Sequence, residues 1–208
     1  MKLGDISLWP LWIVSVLTLG IIFERALALR WSLVAPAGAF RLAEKLLSSG
    51  AATLDTAALE GLSRGSFLGR LFSLALEHRQ KEPAVLLALI EEEGRAIRHA
   101  LFSQLPWLAT FAEASPLLGL LGTVAGLIRL FREMGQGVAP ETLAQGVALA
   151  LGATLFGLVV ALAAGFAHRF FCERAKAMLL ELEGQASKFV LLVEEKKECA
   201  LAKEKRRA

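Results

Sequence analysis

Residues 115–127 read SPLLGLLGTVAGL. The stretch is apolar enough to sit in lipid, yet it holds three glycines, a proline, a serine and a threonine. Glycine and proline inside a helix cost about 1 and 3 kcal/mol relative to alanine in water. In a bilayer the balance differs, because helices there associate by close packing rather than by hiding apolar surface, and small residues permit the close approach. Ser115, Gly119, Gly122 and Gly126 recur every third or fourth residue and so form one stripe on a helix. Gly146, Ala150, Ala153, Gly157, Ala161 and Ala164 repeat the pattern further along. The two stripes predict tight packing, either between two spans of one chain or between copies of it.

The rest of the 208 residues places these stripes in a membrane. Hydrophobic residues make up 55% of the chain, above the usual share for a soluble domain. They concentrate in three runs: Ser7–Phe23 carries no charge, Leu101–Ile128 carries only Glu113, and Gly146–Ala167 carries none. A spanning helix needs about 20 mostly apolar residues. The first run is not followed by a small-residue cleavage site, so it reads as an uncleaved anchor rather than a removed signal. Only Lys2 precedes it, whereas Arg25, Arg30, Arg41 and Lys45 follow. His168, Arg169, Arg174 and Lys176 follow the third run, and Arg129 and Arg132 between runs two and three are offset by Glu133 and Glu141. Basic residues favour the cytoplasmic side, so the N-terminus is expected outside and the C-terminus inside. Trp9, Trp12 and Trp31 suit interfacial anchors.

The expected fold is an all-α integral membrane protein with three transmembrane helices and long helices extending into the cytoplasm. Residues 1–30 hold the first span, 31–105 a cytoplasmic helical region and 106–132 the second span. An outer loop over 133–142 leads to the third span, 143–167, and 168–208 form a cytoplasmic helix and tail. Within the cytoplasmic region, Ala35–Gly38 reads as a break, Ala39–Ser48 as a helix ended by Ser49-Gly50, and Asp55 as an N-cap. Arg64-Gly65-Ser66 reads as an interruption. From Pro83, which suits a first helical turn, one long helix is expected to run into the second span, bent at Pro106 and Pro116.

Two polar features interrupt the apolar spans. Thr123 and Thr154 lie at similar depth beside the small stripes. Each could bond its own helix four residues back, or the pair could line a polar path. Glu113 falls on the face of Thr123 when counted back through Leu120 and Pro116, about 15 Å away along the axis. An ionisable residue in a span is a functional candidate because an unpaired buried charge is costly; the alternative is a hydrated site at the cytoplasmic mouth or a pair with an arginine.

Other chemistry has little support. No nucleophile–base pair, metal cluster or phosphate loop appears, so no enzyme, cofactor or metal site is expected. His78, His99 and His168 are dispersed, and Gly119-Leu-Leu-Gly122-Thr123 lacks the lysine of a phosphate-binding loop. Net charge is +3, and the closing EEKKECALAKEKRRA mixes both signs, which reads as a solvated helix and not a nucleic-acid surface. Cys172 and Cys199 have no partner at metal-ligand spacing and read as reduced thiols.

Taken together, Ala114-SPLLGLLGTVAGLI resembles the span-two signature of the ExbB/TolQ/MotA family of proton-channel motor subunits of bacterial inner membranes. Leu143, Ala144, Gly146, Val147, Ala150, Leu151, Thr154, Gly157 and Leu158 match its span-three pattern. Trp9–Arg30 resembles the ExbB/TolQ branch. The resemblance implies a homopentamer in the lipid bilayer around the helices of a small ExbD/TolR-like single-span protein that supplies an aspartate. It implies that Thr123 and Thr154 face that aspartate, and that proton flow drives a TonB- or TolA-like effector across the periplasm. One position departs from the pattern: where ExbB and TolQ carry a glutamate, this chain has Leu149. Glu113 is a candidate replacement. A non-conducting membrane scaffold and a flagellar-type stator are the competing readings, although flagellar stators have four spans.

Overall fold

The computed structural model describes residues 3–30, 34, 38–48, 56–134 and 140–205. Among these, regular structure is helical throughout: α1 (Leu3–Ala28), α2 (Ala39–Ser48), α3 (Thr56–Gly65), α4 (Phe67–Glu77), α5 (Pro83–Phe102), α6 (Leu105–Met134) and α7 (Pro140–Lys205). Trp31, most of the Ala35–Gly38 break, Ser49-Gly50, the Asp55 cap and the centre of the loop, 135–139, lie outside the described residues. Among the described residues, three stretches are long and apolar enough to cross a membrane: Trp9–Ala28, Pro83–Met134 and Leu143–Cys199.

The helix expected to run unbroken from Pro83 into the second span is two helices. A turn at Ser103–Gln104 separates α5 from α6. The cause is Pro106, whose ring would strike the carbonyl four residues back, on Phe102, if the helix continued. Pro116 does not end α6, which runs through it to Met134. The adjacent Ser115 hydroxyl donates to the Phe111 carbonyl at 2.6 Å.

The chain divides into two units. The first contains α1 to Leu27, α6, and α7 to Cys172. Its packing inverts that of a water-soluble bundle. Large apolar residues point outward, among them Ile13, Val16, Phe23, Leu117, Leu121, Val124, Leu155, Leu162 and Phe166, while Ser115, Ala150, Ala153 and Ala164 are buried. That is the arrangement expected where lipid or other protein covers the outer surface and small residues set helix spacing. On α1 the inward positions are Leu11, Thr18 and Arg25, seven residues apart. Thr18 satisfies its hydroxyl on the Val14 carbonyl at 2.7 Å, and Arg25 pairs with Glu24 at 2.8 Å. Trp12 packs on Phe156 with ring centroids 5.4 Å apart, which sets α1 beside α7.

The second unit contains α2 to α5 and α7 from Glu173. The α3–α4 interruption is a true helix start: Ser66 is extended, and its hydroxyl accepts from the Gly69 backbone at 3.0 Å, satisfying one of the first-turn amides. Pro83 opens α5. The distal half of α7 buries Ala175, Met178, Leu179, Leu182, Ala186, Phe189, Val190 and Val193, a stripe with three- and four-residue steps. Phe72 and Phe189 lie 4.6 Å apart at the centre, and Phe40 meets both edge-on. Arg70 faces Glu93 at 2.6 Å between α4 and α5. Two basic side chains of α7 cap backbone ends: Arg174 donates to the Leu29 carbonyl at 2.7 Å, and Lys197 to those of Gln80 and Lys81 at 3.2 and 2.9 Å. Because Phe189 is fully buried, Phe189→Ala is expected to cost about 3–5 kcal/mol. Thermal unfolding followed by helicity would read this as an earlier transition, and an unchanged transition would deny the cluster its role.

Candidate functional site

The site lies where the two small stripes meet. Gly119 of α6 faces Gly157 of α7: a Cβ added at Gly119 would stand 2.9 Å from the Ala153 carbonyl oxygen and 3.2 Å from the Gly157 Cα. Seven residues on, Gly126 faces Ala150, where an added Cβ would come within 2.9 Å of the alanine methyl. Beyond that Gly146 meets the Leu130 side chain, and in the other direction Gly165 approaches Ala112 at 3.8 Å. The helices are therefore antiparallel, and each step forward on α6 is matched by a step back on α7. Ser115, Gly119 and Gly122 are buried along this seam.

Close approach brings Thr123 and Thr154 together. Thr123 is 8% exposed, and its hydroxyl oxygen is in direct hydrogen-bond contact with that of Thr154. Thr123 Oγ1 also reaches the Gly119 carbonyl at 3.1 Å and the Ala150 carbonyl at 3.2 Å. Thr154 Oγ1 reaches the Gly119 carbonyl at 3.2 Å. The arrangement is an exchange across the seam. Thr154 donates to α6 rather than to Ala150 on its own helix, and Thr123 reaches the carbonyl four residues before Thr154.

Two hydroxyl protons are thus shared among four oxygens. In one ordering Thr123 donates to Thr154, which donates to Gly119; in the other Thr154 donates to Thr123, which donates to Gly119 or Ala150. Both satisfy every hydroxyl proton, so the pair can reverse its hydrogen-bond direction without breaking its packing. Chains of this kind polarise one another where the local dielectric is low.

The remaining residues singled out in the sequence are placed elsewhere. Glu113 lies on the exposed side of α6, about 80° round the helix from Thr123, and is not brought to the hydroxyl pair. Pro116 is half-buried, and Leu149 points outward at 78% exposure. At one end of the seam Arg129 pairs with Glu133 at 2.8 Å. At the other, Cys172 Sγ lies 3.4 Å from His168 Nε2. Among the described residues no group of three or more His, Cys, Asp or Glu could hold a metal ion. Bonding four residues back was expected of each threonine; the use of the Gly119 and Ala150 carbonyls by the opposite helix was not. The signal for them was present, since each is the residue four before a threonine, but its cross-helix use depends on register.

Residues 63–184 match the MotA/TolQ/ExbB proton channel family. The chain is 34% identical over 165 residues to biopolymer transport protein exbB1 of Vibrio cholerae, an alignment covering 75% of this chain and 70% of that one. It is 38% identical over 101 residues to Tol-Pal system protein TolQ of Pseudomonas aeruginosa, 44% of each chain. It is 37% identical over 78 residues to biopolymer transport protein ExbB of Aquifex aeolicus, 36% of this chain and 53% of that one.

Proposed function

The chain belongs to the MotA/TolQ/ExbB proton channel family, and from that premise we propose that it is a proton-conducting subunit of a bacterial inner membrane. In this reading copies of the chain surround the helices of a single-span partner that carries an aspartate. The complex converts proton-motive force into work on a periplasm-spanning effector of the TonB or Tol type. The observation that carries the reading is the hydroxyl pair of Thr123 and Thr154, which shares the Gly119 and Ala150 carbonyls inside two apolar spans. Packing alone would be served by two more alanines.

The proposed step follows from the pair's two orderings. An ionised partner carboxylate accepts a hydrogen bond from a threonine hydroxyl; a protonated one donates to it. The pair accommodates either by reversing its direction, so it can face both states of the carboxyl without an unsatisfied proton. A proton passes to the partner from one side and leaves to the other, and the change of carboxyl charge changes which helix face the partner prefers.

The second reading, a non-conducting scaffold, is favoured by Leu149, an exposed leucine at the position where the ExbB/TolQ pattern has a glutamate. Purification of the tagged full-length chain from its own membrane, with mass measurement of the intact complex and proton flux in liposomes, separates the two. The expected result is a homo-oligomer, expected to be a pentamer, bound to a small single-span protein and conducting protons. A bare homo-oligomer that carries none would sink the proposal in favour of the scaffold.

A further inference from the structure

Glu113 is left unexplained by packing and by the threonine pair. On α6 the exposed Trp107 is of the residue type that favours the membrane interface, and the seam's register sets Arg169 of α7 level with it. Glu113 lies six residues further in, about 9 Å, and Arg129 lies about 33 Å from Trp107 along the helix. The hydrocarbon core is about 30 Å thick, so Glu113 sits well inside one edge of it. Its flank is otherwise apolar at that depth and deeper, with Leu117, Leu120, Leu121 and Val124 all exposed. Only Thr110 adds polarity, and its hydroxyl donates to the Pro106 carbonyl at 3.1 Å, leaving the oxygen's lone pairs free to accept.

No described cation pairs with Glu113. The α7 residues level with it, Leu162 to Gly165, are not titratable. The nearest charged or titratable groups on neighbouring elements are His168 and Arg169 of α7 and Glu24 and Arg25 of α1. By the Trp12–Phe156 contact, the α1 pair falls at the level of Arg169. All four lie more than a helical turn nearer the polar end. An ionisable side chain at this depth of an apolar span is a functional candidate, because a charge buried there without a partner is costly.

We infer that Glu113 is a second proton-exchanging group of the spanning unit. It stands on the flank of α6 between the Thr123–Thr154 pair and the cytoplasmic edge. The inference rests on the conducting role proposed above. As a carboxylate, Glu113 accepts one proton arriving from the threonine level to become a carboxylic acid, and it returns that proton to water at the cytoplasmic mouth. The axial gap of about 15 Å from Thr123 is about five hydrogen-bond lengths, a span for water to bridge along this flank.

The test uses the full chain with its co-purified partner in liposomes under an imposed proton gradient. Glu113→Gln is expected to lower flux about tenfold or more, Glu113→Asp to retain most of it, and both to leave the mass of the complex unchanged, as a general-acid role requires. A conducting wild type with an unimpaired Glu113→Gln overturns this inference and leaves the conducting role standing. A wild type that carries no protons overturns both. Should Glu113→Gln fail to assemble, a hydrophobic carbodiimide, which attacks protonated carboxyls in lipid, serves on the wild type. Labelling of Glu113 with loss of flux supports the role; an unlabelled Glu113, or a labelled one with full flux, overturns it.

Discussion

Thr123→Val is expected to abolish proton flux through the complex while leaving the protein folded and assembled. Valine keeps the β-branched shape, so the seam between α6 and α7 still closes. Thr154 keeps an acceptor in the Gly119 carbonyl at 3.2 Å, and no buried proton is left without a partner. A hydrogen bond between membrane helices is worth about 0.6 kcal/mol on average, so the stability change should be of that order. The functional change should be far larger. With one hydroxyl removed, the remaining one has a single donor orientation and the pair cannot reverse. Loss of a positioned proton-transfer group costs about a hundredfold or more. Thr154→Val should behave the same way, and Thr123→Ser should retain flux. Measurement of flux alongside denaturant unfolding in detergent checks the separation. If Thr123→Val conducts normally, the hydroxyl pair is a packing device and the carrying observation is lost.

Gly157→Ala is expected to break the same seam by a different route. The added methyl would stand 2.6 Å from the Ser115 carbonyl oxygen and 3.0 Å from the Gly119 Cα. Both are backbone atoms, which cannot rotate aside as a side chain can. The helices must part, at a cost of about 1–3 kcal/mol for overpacking, and parting them separates Thr123 from Thr154. Stability and flux should therefore fall together, unlike the valine variants. Gly152→Ala is the control on the same helix: Gly152 is exposed and nothing lies within 4 Å of an added Cβ. There the better helix propensity of alanine should be neutral or stabilising by up to about 1 kcal/mol. Equal destabilisation by both substitutions would falsify the assignment of close contact to Gly157.

Much of this was legible from one stretch of sequence. Ser115, Gly119, Gly122 and Gly126 lie on one face whatever the tertiary structure, because helical periodicity places them there. Their smallness identified that face as a packing face, and the charge pattern of Arg25, Arg30, His168 and Arg169 is the basis for the expected orientation of the spans. The threonines were recognisable as polar residues beside the stripe. Their direct contact was not, because spacing along a helix says nothing about register against a neighbour. The same limit applied to Glu113. Counting along the helix set it on the face of Thr123, but the packed unit buries Thr123 and leaves Glu113 exposed, away from the hydroxyl pair.

By itself the sequence determined the helical spans, the small-residue faces and the membership of the family, since each depends on local periodicity and residue type. The tertiary structure decided three things. It broke the helix before Pro106, it brought Phe72 against Phe189 across more than a hundred residues, and it paired Thr123 with Thr154 over a shared carbonyl. The last has a plain physical cause. With glycine at 119 and 157 there is no Cβ between the backbones, so Thr123 reaches the Ala150 carbonyl as well as its own Gly119 carbonyl, and Thr154 reaches Gly119 across the seam.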